Sequence, residues 1–194
     1  MSNATPDDRP LIVGLGGTTR PGSSSERALA VALEAARELG ARTDLIAAVD
    51  LQLPLYAPER DERTPDAVRL VDALAAADGV IIASPGYHGG PSGLIKNALD
   101  YTEDLRDGAR TYLDGVPVGC IVCAHGWQAT ATTLIALRSV VHALRGWPTP
   151  FGAAINNAAG GVTDSDVCEQ LRLVGRQVVA LATLQRQARS ATHA

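Results

Sequence analysis

The chain has 194 residues, of which 46% are hydrophobic, 4% aromatic and 20% charged, and its net charge is −4. This length suits one domain whose core is built from Ala, Val, Leu and Ile, and without a basic surplus no nucleic-acid partner is expected. No apolar run approaches the roughly 18 residues of a membrane span, and the polar first ten residues hold no signal-peptide core, so no membrane partner and a cytoplasmic location are expected.

Residues 1–9 read as a disordered lead, 10–187 as one domain and 188–194 as a frayed tail. Pro10–Leu15 is a nearly continuous apolar run, the pattern of a parallel strand covered on both faces. Gly16–Ser25 is a loop. In Glu26–Leu39, residues Leu29, Leu33, Ala36 and Leu39 recur at helical spacing, and Gly40 marks the stop. Ala41–Val49 is a second strand, followed by a long connection over Asp50–Arg63. A second helix begins at Thr64 or Pro65, with Val68, Val71, Leu74 and Ala75 expected inward. Gly79–Ala83 is a third strand, Ser84–Gly90 a loop and Ser92–Leu105 a third helix in which Lys96 and Asn97 serve the helix start. Val116–Ala124 is a fourth strand and Thr130–Leu144 a fourth helix, with His142 facing solvent or an interface. Trp147–Ile155 holds a short fifth strand. Asn156–Val162 is a Gly- and Asn-rich loop, and Asp164–Gln187 is the last helix.

Strands and helices that alternate in this way predict an α/β fold, a doubly wound five-stranded parallel sheet with helices on both faces. Right-handed crossovers suit the flavodoxin-like order 2-1-3-4-5, which opens a ligand crevice between strands one and three. The two glycine-bearing loops follow those two strands. The first supplies five hydroxyls, from Thr18, Thr19, Ser23, Ser24 and Ser25, together with Arg20, at the start of a helix. Unpaired N–H groups there favour an anion, and an arginine can grip phosphate with two parallel hydrogen bonds. Ser23 and Glu26 also have capping-box spacing, which needs no ligand. A cap accounts for one serine but leaves Thr18, Arg20 and Ser25 unexplained. Gly14 and Gly16 begin like a dinucleotide fingerprint, but Thr19 stands at the third glycine position. Asp50 then lies 31 residues further on, against the usual interval of about 20. A mononucleotide phosphate fits better. In the second loop, residues without a Cβ let backbone approach a flat ligand.

Cys120 and Cys123 form a C-x-x-C pair within the fourth strand. Residues three apart on a strand point to opposite faces, so both are expected to be small buried hydrophobes rather than a redox or metal pair. No metal site, nucleophile triad or catalytic side chain is expected.

Gly17–Arg20 with Ser23 and Ser25, Asp50–Tyr56, and Ser84–Gly89 with Leu94–Tyr101 together resemble the flavodoxin-like NAD(P)H-dependent FMN reductases. Val116–Leu144 is similar to the sulfonate-linked branch of that family. The resemblance runs from about Leu11 to Ile155 and implies FMN, with NADPH or NADH as hydride donor. It places the phosphate on Thr18, Arg20, Ser23 and Ser25. It places the isoalloxazine against Pro85, Gly86, Tyr87, His88 and Gly89, with His125, Gly126 and Trp127 closing the other side. Trp127 could equally pack at a subunit interface.

The chain departs from the family pattern at Gly86, where the family often has Glu, and at His88, where it often has Asn. Its fourth-strand loop lacks the family's paired glycines, and Pro91 stands nearest to the tyrosine insertion of the sulfonate-linked branch. The resemblance implies a homodimer or homotetramer that reduces FMN for a partner monooxygenase. The alternatives are an FMN-retaining reductase of quinones, azo dyes or metal oxyanions, and a flavodoxin-like electron carrier.

Overall fold

The computed structural model describes residues 9–192. In chain order the elements are β1 (Leu11–Gly16), α1 (Ser24–Glu38), β2 (Arg42–Ala47), α2 (Pro65–Ala76), β3 (Gly79–Tyr87), β4 (Gly90–Pro91), α3 (Gly93–Asp100), β5 (Pro117–Ala124), α4 (Trp127–Ala143), β6 (Trp147–Pro148), β7 (Ala153–Asn156) and α5 (Ser165–Thr192). Short 3-10 turns follow β2 and α3. The sheet runs β2-β1-β3-β5, and β6 and β7 both pair with β5 as its outer neighbour. All these pairings are parallel, and β4 alone adds an antiparallel pair to the end of β3. This is the expected doubly wound order, with the fifth strand in two pieces. The interruption falls at Thr149–Gly152, where Pro150 has no N–H for the ladder and Phe151 N–H donates to Gln177 Oε1 of α5 at 2.9 Å.

The hydrophobic core lies on both faces of the sheet. On one face Val13, Leu15, Val80, Ile82, Val118 and Val122 pack against α2, α3 and α4. On the other, Ile12, Ile81 and Ile121 pack against α1 and α5. Cys120 belongs to the first layer and Cys123 to the second, as the strand period requires. Burial pushes both thiols up to about 12, so neither is a thiolate at neutral pH.

Several boundaries move from the sequence reading. In α2 the buried positions are Ala67, Leu70 and Leu74, while Val68 and Ala75 face outward and Val71 is half-buried. Thr64 Oγ1 accepts from Ala67 N at 3.3 Å and caps the helix where it was expected to begin, so only the buried face differs, with Leu74 common to both. Ser92, rather than Lys96 or Asn97, serves the start of α3, its Oγ accepting from Ile95 N. Lys96 pairs with Asp100 at 2.5 Å. His142 is exposed.

α5 continues to Thr192, beyond the expected boundary at Gln187. Its polar last turns are tied to the sheet, because buried Asp78 accepts from Arg186 at 2.7 Å, Arg189 at 3.0 Å and Leu11 N at 3.0 Å. The expected lead over residues 1–8, and residues 193–194 of the expected tail, lie outside the described residues.

The connection after β2 is a strap, held by side chains that the sequence placed elsewhere. Asn97 accepts from Tyr56 N at 2.9 Å and donates to Pro54 O at 2.9 Å. Tyr101 donates its hydroxyl to Pro54 O at 3.0 Å. Arg63 meets Asp104 through two bonds of 2.7 and 2.8 Å, and its guanidinium lies 5.1 Å from the Tyr56 ring centre. The hydrogen bond from Arg63 holds the Asp104 carboxyl below its usual range, with the Arg63 charge adding to the effect.

Two stability tests follow from this packing. A Cβ on Gly175, in the middle of α5, would run into the Ala32 carbonyl of α1. Alanine there gains about 1 kcal/mol of helix propensity, but overpacking against backbone costs about 1–3 kcal/mol. Gly175→Ala is therefore expected to lower the urea midpoint, and an unchanged or raised midpoint would show that α1 and α5 can separate freely. For the strap, a lowered folded-state pKa stabilises above the unfolded value of about 3.9 and is lost as pH falls through the folded value. Asp104→Asn should lower the urea midpoint at pH 7, with the gap from the parent narrowing below about pH 4. A constant gap would locate its effect outside the ion pair.

Candidate functional site

Three loops at the carboxyl ends of the strands build the site. At the exit of β1, Gly17 has φ 94° and its N–H donates to Ala83 O of β3 at 3.2 Å. Thr18 Oγ1 accepts from Arg20 N at 3.1 Å, which shapes a short turn. Ser23 caps α1, its Oγ accepting from Glu26 N at 3.3 Å, while Glu26 Oε2 accepts from Gly22 N at 3.0 Å. Glu26 thus reaches one residue further back than a standard capping box. Ser25 is buried beside Ser23, with their hydroxyls 3.3 Å apart. Arg20 is exposed and has no acidic partner among the described residues. Ser23 is a cap, as its spacing with Glu26 predicts, and capping leaves Ser25 and Arg20 to be accounted for.

At the exit of β3 the expected loop is mostly strand. Ser84–Tyr87 continue β3, and Gly86 and Tyr87 pair with Pro91 and Gly90 of β4. The hairpin turns on His88 at φ 51° and Gly89 at φ 87°. Two central residues of positive φ match the strand twist, and His, like Asn, is enriched in that region. His88 is therefore placed by a backbone demand that Asn would also meet. Gly86 likewise answers to packing. A Cβ there would lie 2.9 Å from Thr133 Oγ1 and 3.3 Å from Ala129 O, so its missing side chain makes room for α4, and a glutamate at this position would displace the helix. Ser84 Oγ accepts from Ser92 N at 2.9 Å and donates to Pro85 O at 2.8 Å, bracing the hairpin from inside.

At the exit of β5, α4 begins at Trp127, three residues before the expected Thr130. Its cap is Gly126 at φ 108°, with no side-chain cap. In the sequence only a cap residue or the apolar period could announce that start, and neither does. Gly126 N–H donates to Asn156 Oδ1 at 2.9 Å.

These loops surround a cleft of about 210 Å³. One wall carries Thr18, Arg20, Ser23 and Ser25, with Ser24 beside them. A second carries Pro85, Gly86 and Tyr87. Cys123, Ala124, His125 and Asn157 complete it. Of the twelve residues expected at the site, eight meet here. His88 and Gly89 sit at the exposed hairpin tip, and Gly126 and Trp127 lie outside the lining, with Trp127 64% exposed. Sequence reasoning missed Asn157, although a Gly- and Asn-rich loop following a strand at the same sheet edge was a usable signal.

Larger clefts, of about 590 and 630 Å³, flank the strap around Arg63, but Asp104 already satisfies that cation. Among the described residues no group of His, Cys, Asp and Glu has the arrangement to hold a metal ion. Cys123 borders the cleft as a neutral thiol. The donor set fits an FMN phosphate at one end, where hydroxyls, a helix start and an arginine with no acidic partner among the described residues meet, and strand backbone with few side chains continues from it.

The family profile for NADPH-dependent FMN reductases matches residues 10–160. The chain is similar to an FMN-dependent NADPH-azoreductase of Staphylococcus aureus, at 32% identity over 52% of this chain and 50% of the relative. It is also similar to an iron–sulfur flavoprotein of Methanocaldococcus jannaschii, at 27% identity over 89% of this chain and 97% of the relative. The chain spans 29% of the length of one curated relative, an NADPH azoreductase of Bacillus, and half or nearly all of the two others. The flavoenzyme NAD(P)H:(acceptor) oxidoreductase of Paracoccus denitrificans shares the fold, with a TM-score of 0.69 at 22% identity over 90% of this chain and 97% of that one. No helix among the described residues is long and apolar enough to cross a membrane.

Proposed function

This chain belongs to the NADPH-dependent FMN reductase family, and from that premise we propose that it passes hydride from NADPH or NADH to FMN held in the cleft between the β1 and β3 exits. The observation that carries the reading is the meeting, in one cleft, of the α1 start and the Pro85–Tyr87 strand backbone. Arg20 and the hydroxyls of Thr18, Ser23 and Ser25 would hold the phosphate. Pro85, Gly86, Tyr87 and His125 would border the ring. When bound, FMN supplies the hydride-accepting centre, so the chain's own residues need only bind and orient.

The cleft is smaller than the roughly 300–1,000 Å³ of pockets that bury most of a ligand. A cleft of this size does not by itself enclose a whole FMN. The finer reading is that FMN exchanges and its reduced form serves a partner monooxygenase. A second reading, azo-dye reduction on a retained FMN, is favoured by the azoreductase relative. A homodimer belongs to the same proposal. α4 carries a single charged residue, Arg138, which donates to Thr149 O, and its outward Trp127 and Ile135 offer an uncharged face for a second copy.

The activity is tested by following NADPH and NADH oxidation with and without micromolar FMN. Turnover that rises with added FMN is the expected result. Turnover of an azo dye at one equivalent of flavin, indifferent to added FMN, would favour the second reading, and no oxidation of either nucleotide would remove both. For the site, Arg20→Ala should raise the Kd for FMN about tenfold, the loss of a charge-assisted bond pair, and leave riboflavin unchanged. Equal weakening of both flavins would refute the phosphate assignment.

A further inference from the structure

Asn156 ends β7, the strand farthest from the phosphate loop among those bordering the cleft. It is 8% exposed, and nothing in its spacing marks it for a role. Its Oδ1 accepts two backbone hydrogen bonds, from Gly126 N at 2.9 Å and from Ala158 N at 3.0 Å. Because both partners are N–H donors, the oxygen is the atom required at this position. The two bonds join different walls of the cleft. Gly126 follows His125 at the start of α4, and Ala158 follows Asn157. Gly126 O also accepts from Thr130 N at 3.2 Å, and Ala124 pairs with Asn156 at the end of the β5–β7 ladder. Gly126 itself stands at φ 108° with no side-chain cap for α4, so its N–H relies on the Asn156 oxygen.

We infer that Asn156 is a positioning residue for the ring end of the cleft, setting the separation and orientation of His125 and Asn157 through one buried carbonyl oxygen. The inference rests on the flavin reading above and extends it to a residue that touches no ligand. It divides the cleft into two independently held ends. Arg20 and the α1 cap serve the phosphate, and Asn156 serves the ring. Substitution at the ring end must then weaken flavins with and without phosphate alike, because what it disturbs lies beyond the phosphate's reach. It also requires an acceptor and nothing more, so a carboxylate can replace the amide.

The test measures Kd for FMN and for riboflavin, by quenching of flavin fluorescence, on the parent protein, Asn156→Leu, Asn156→Asp and Asp104→Asn. Asn156→Leu, similar in size but with no acceptor, is expected to raise both Kd values about tenfold and leave their ratio unchanged, the effect of two lost hydrogen bonds in a buried corner. Asn156→Asp is expected to restore both to within about threefold of the parent. Asp104→Asn weakens the fold at the strap, which does not line the cleft, and should leave both Kd values at the parent level. Parent-like riboflavin binding by Asn156→Leu, a loss confined to FMN, failure of the aspartate to rescue, or an equal loss in Asp104→Asn would each overturn the assignment. A parent that binds neither flavin would instead remove the flavin reading itself.

Discussion

Five parallel residue pairs, from Ile12–Gly79 to Gly16–Ala83, join β1 to β3, and Gly17 N–H then donates to Ala83 O just past the last pair. That pairing brings both strands to one edge of the sheet together. Their continuations then part, because α1 packs on one face and α3 on the other. A crevice must open where chains diverge from a common edge. The helix start with its hydroxyls and the β3–β4 hairpin stand on its two sides for that reason. Every feature of the site depends on this register, since a slip of one residue would turn each inward side chain of β1 and β3 to the opposite face.

The two edges of the sheet treat charge differently. At the amino edge the charges have partners. Asp78 accepts from Arg186, Arg189 and Leu11 N, and Arg110 donates to the carbonyls of Leu74 and Ala75 in the last turn of α2 and of Ala77 just past it. At the carboxyl edge Arg20 has no acidic partner among the described residues and stands beside two buried serines. A cation left uncompensated among hydroxyls and helix N–H groups is suited to an anion from outside the chain. The contrast separates charge that closes the fold from charge available for binding.

Close packing accounts for the glycines as fully as binding does. With 4% aromatic residues, the layers are filled by aliphatic side chains and approach closely, so Gly175 lets α5 touch the backbone of α1 and Gly86 lets α4 reach β3. Gly86 and His88 are two of the positions at which the sequence reading expects a departure from the pattern the chain resembles. One is explained by a helix that needs the space and the other by a hairpin turn of positive φ.

Local chemistry determined much of this protein from the sequence alone. Apolar runs and 3.6-residue periods mark the strands and helices, the spacing of Ser23 and Glu26 marks the α1 cap, and the strand period puts Cys120 and Cys123 on opposite faces. These features arise among residues a few positions apart, where pattern and geometry coincide. Tertiary structure decided what depends on distant partners. Ser84–Tyr87 become strand because Gly90 and Pro91 return to pair with them, α5 runs past Gln187 because Asp78 holds its arginines, and Asn97 secures a strap more than 40 residues away. The cleft itself is shared in the same way. Thr18, Arg20, Ser23 and Ser25 were legible as hydroxyls and a cation gathered at one helix start, whereas Asn156 and Asn157 join the cleft only when β7 docks beside β5. A side chain's choice of hydrogen-bond partner is a matter of proximity in space, and only the folded sheet supplies it.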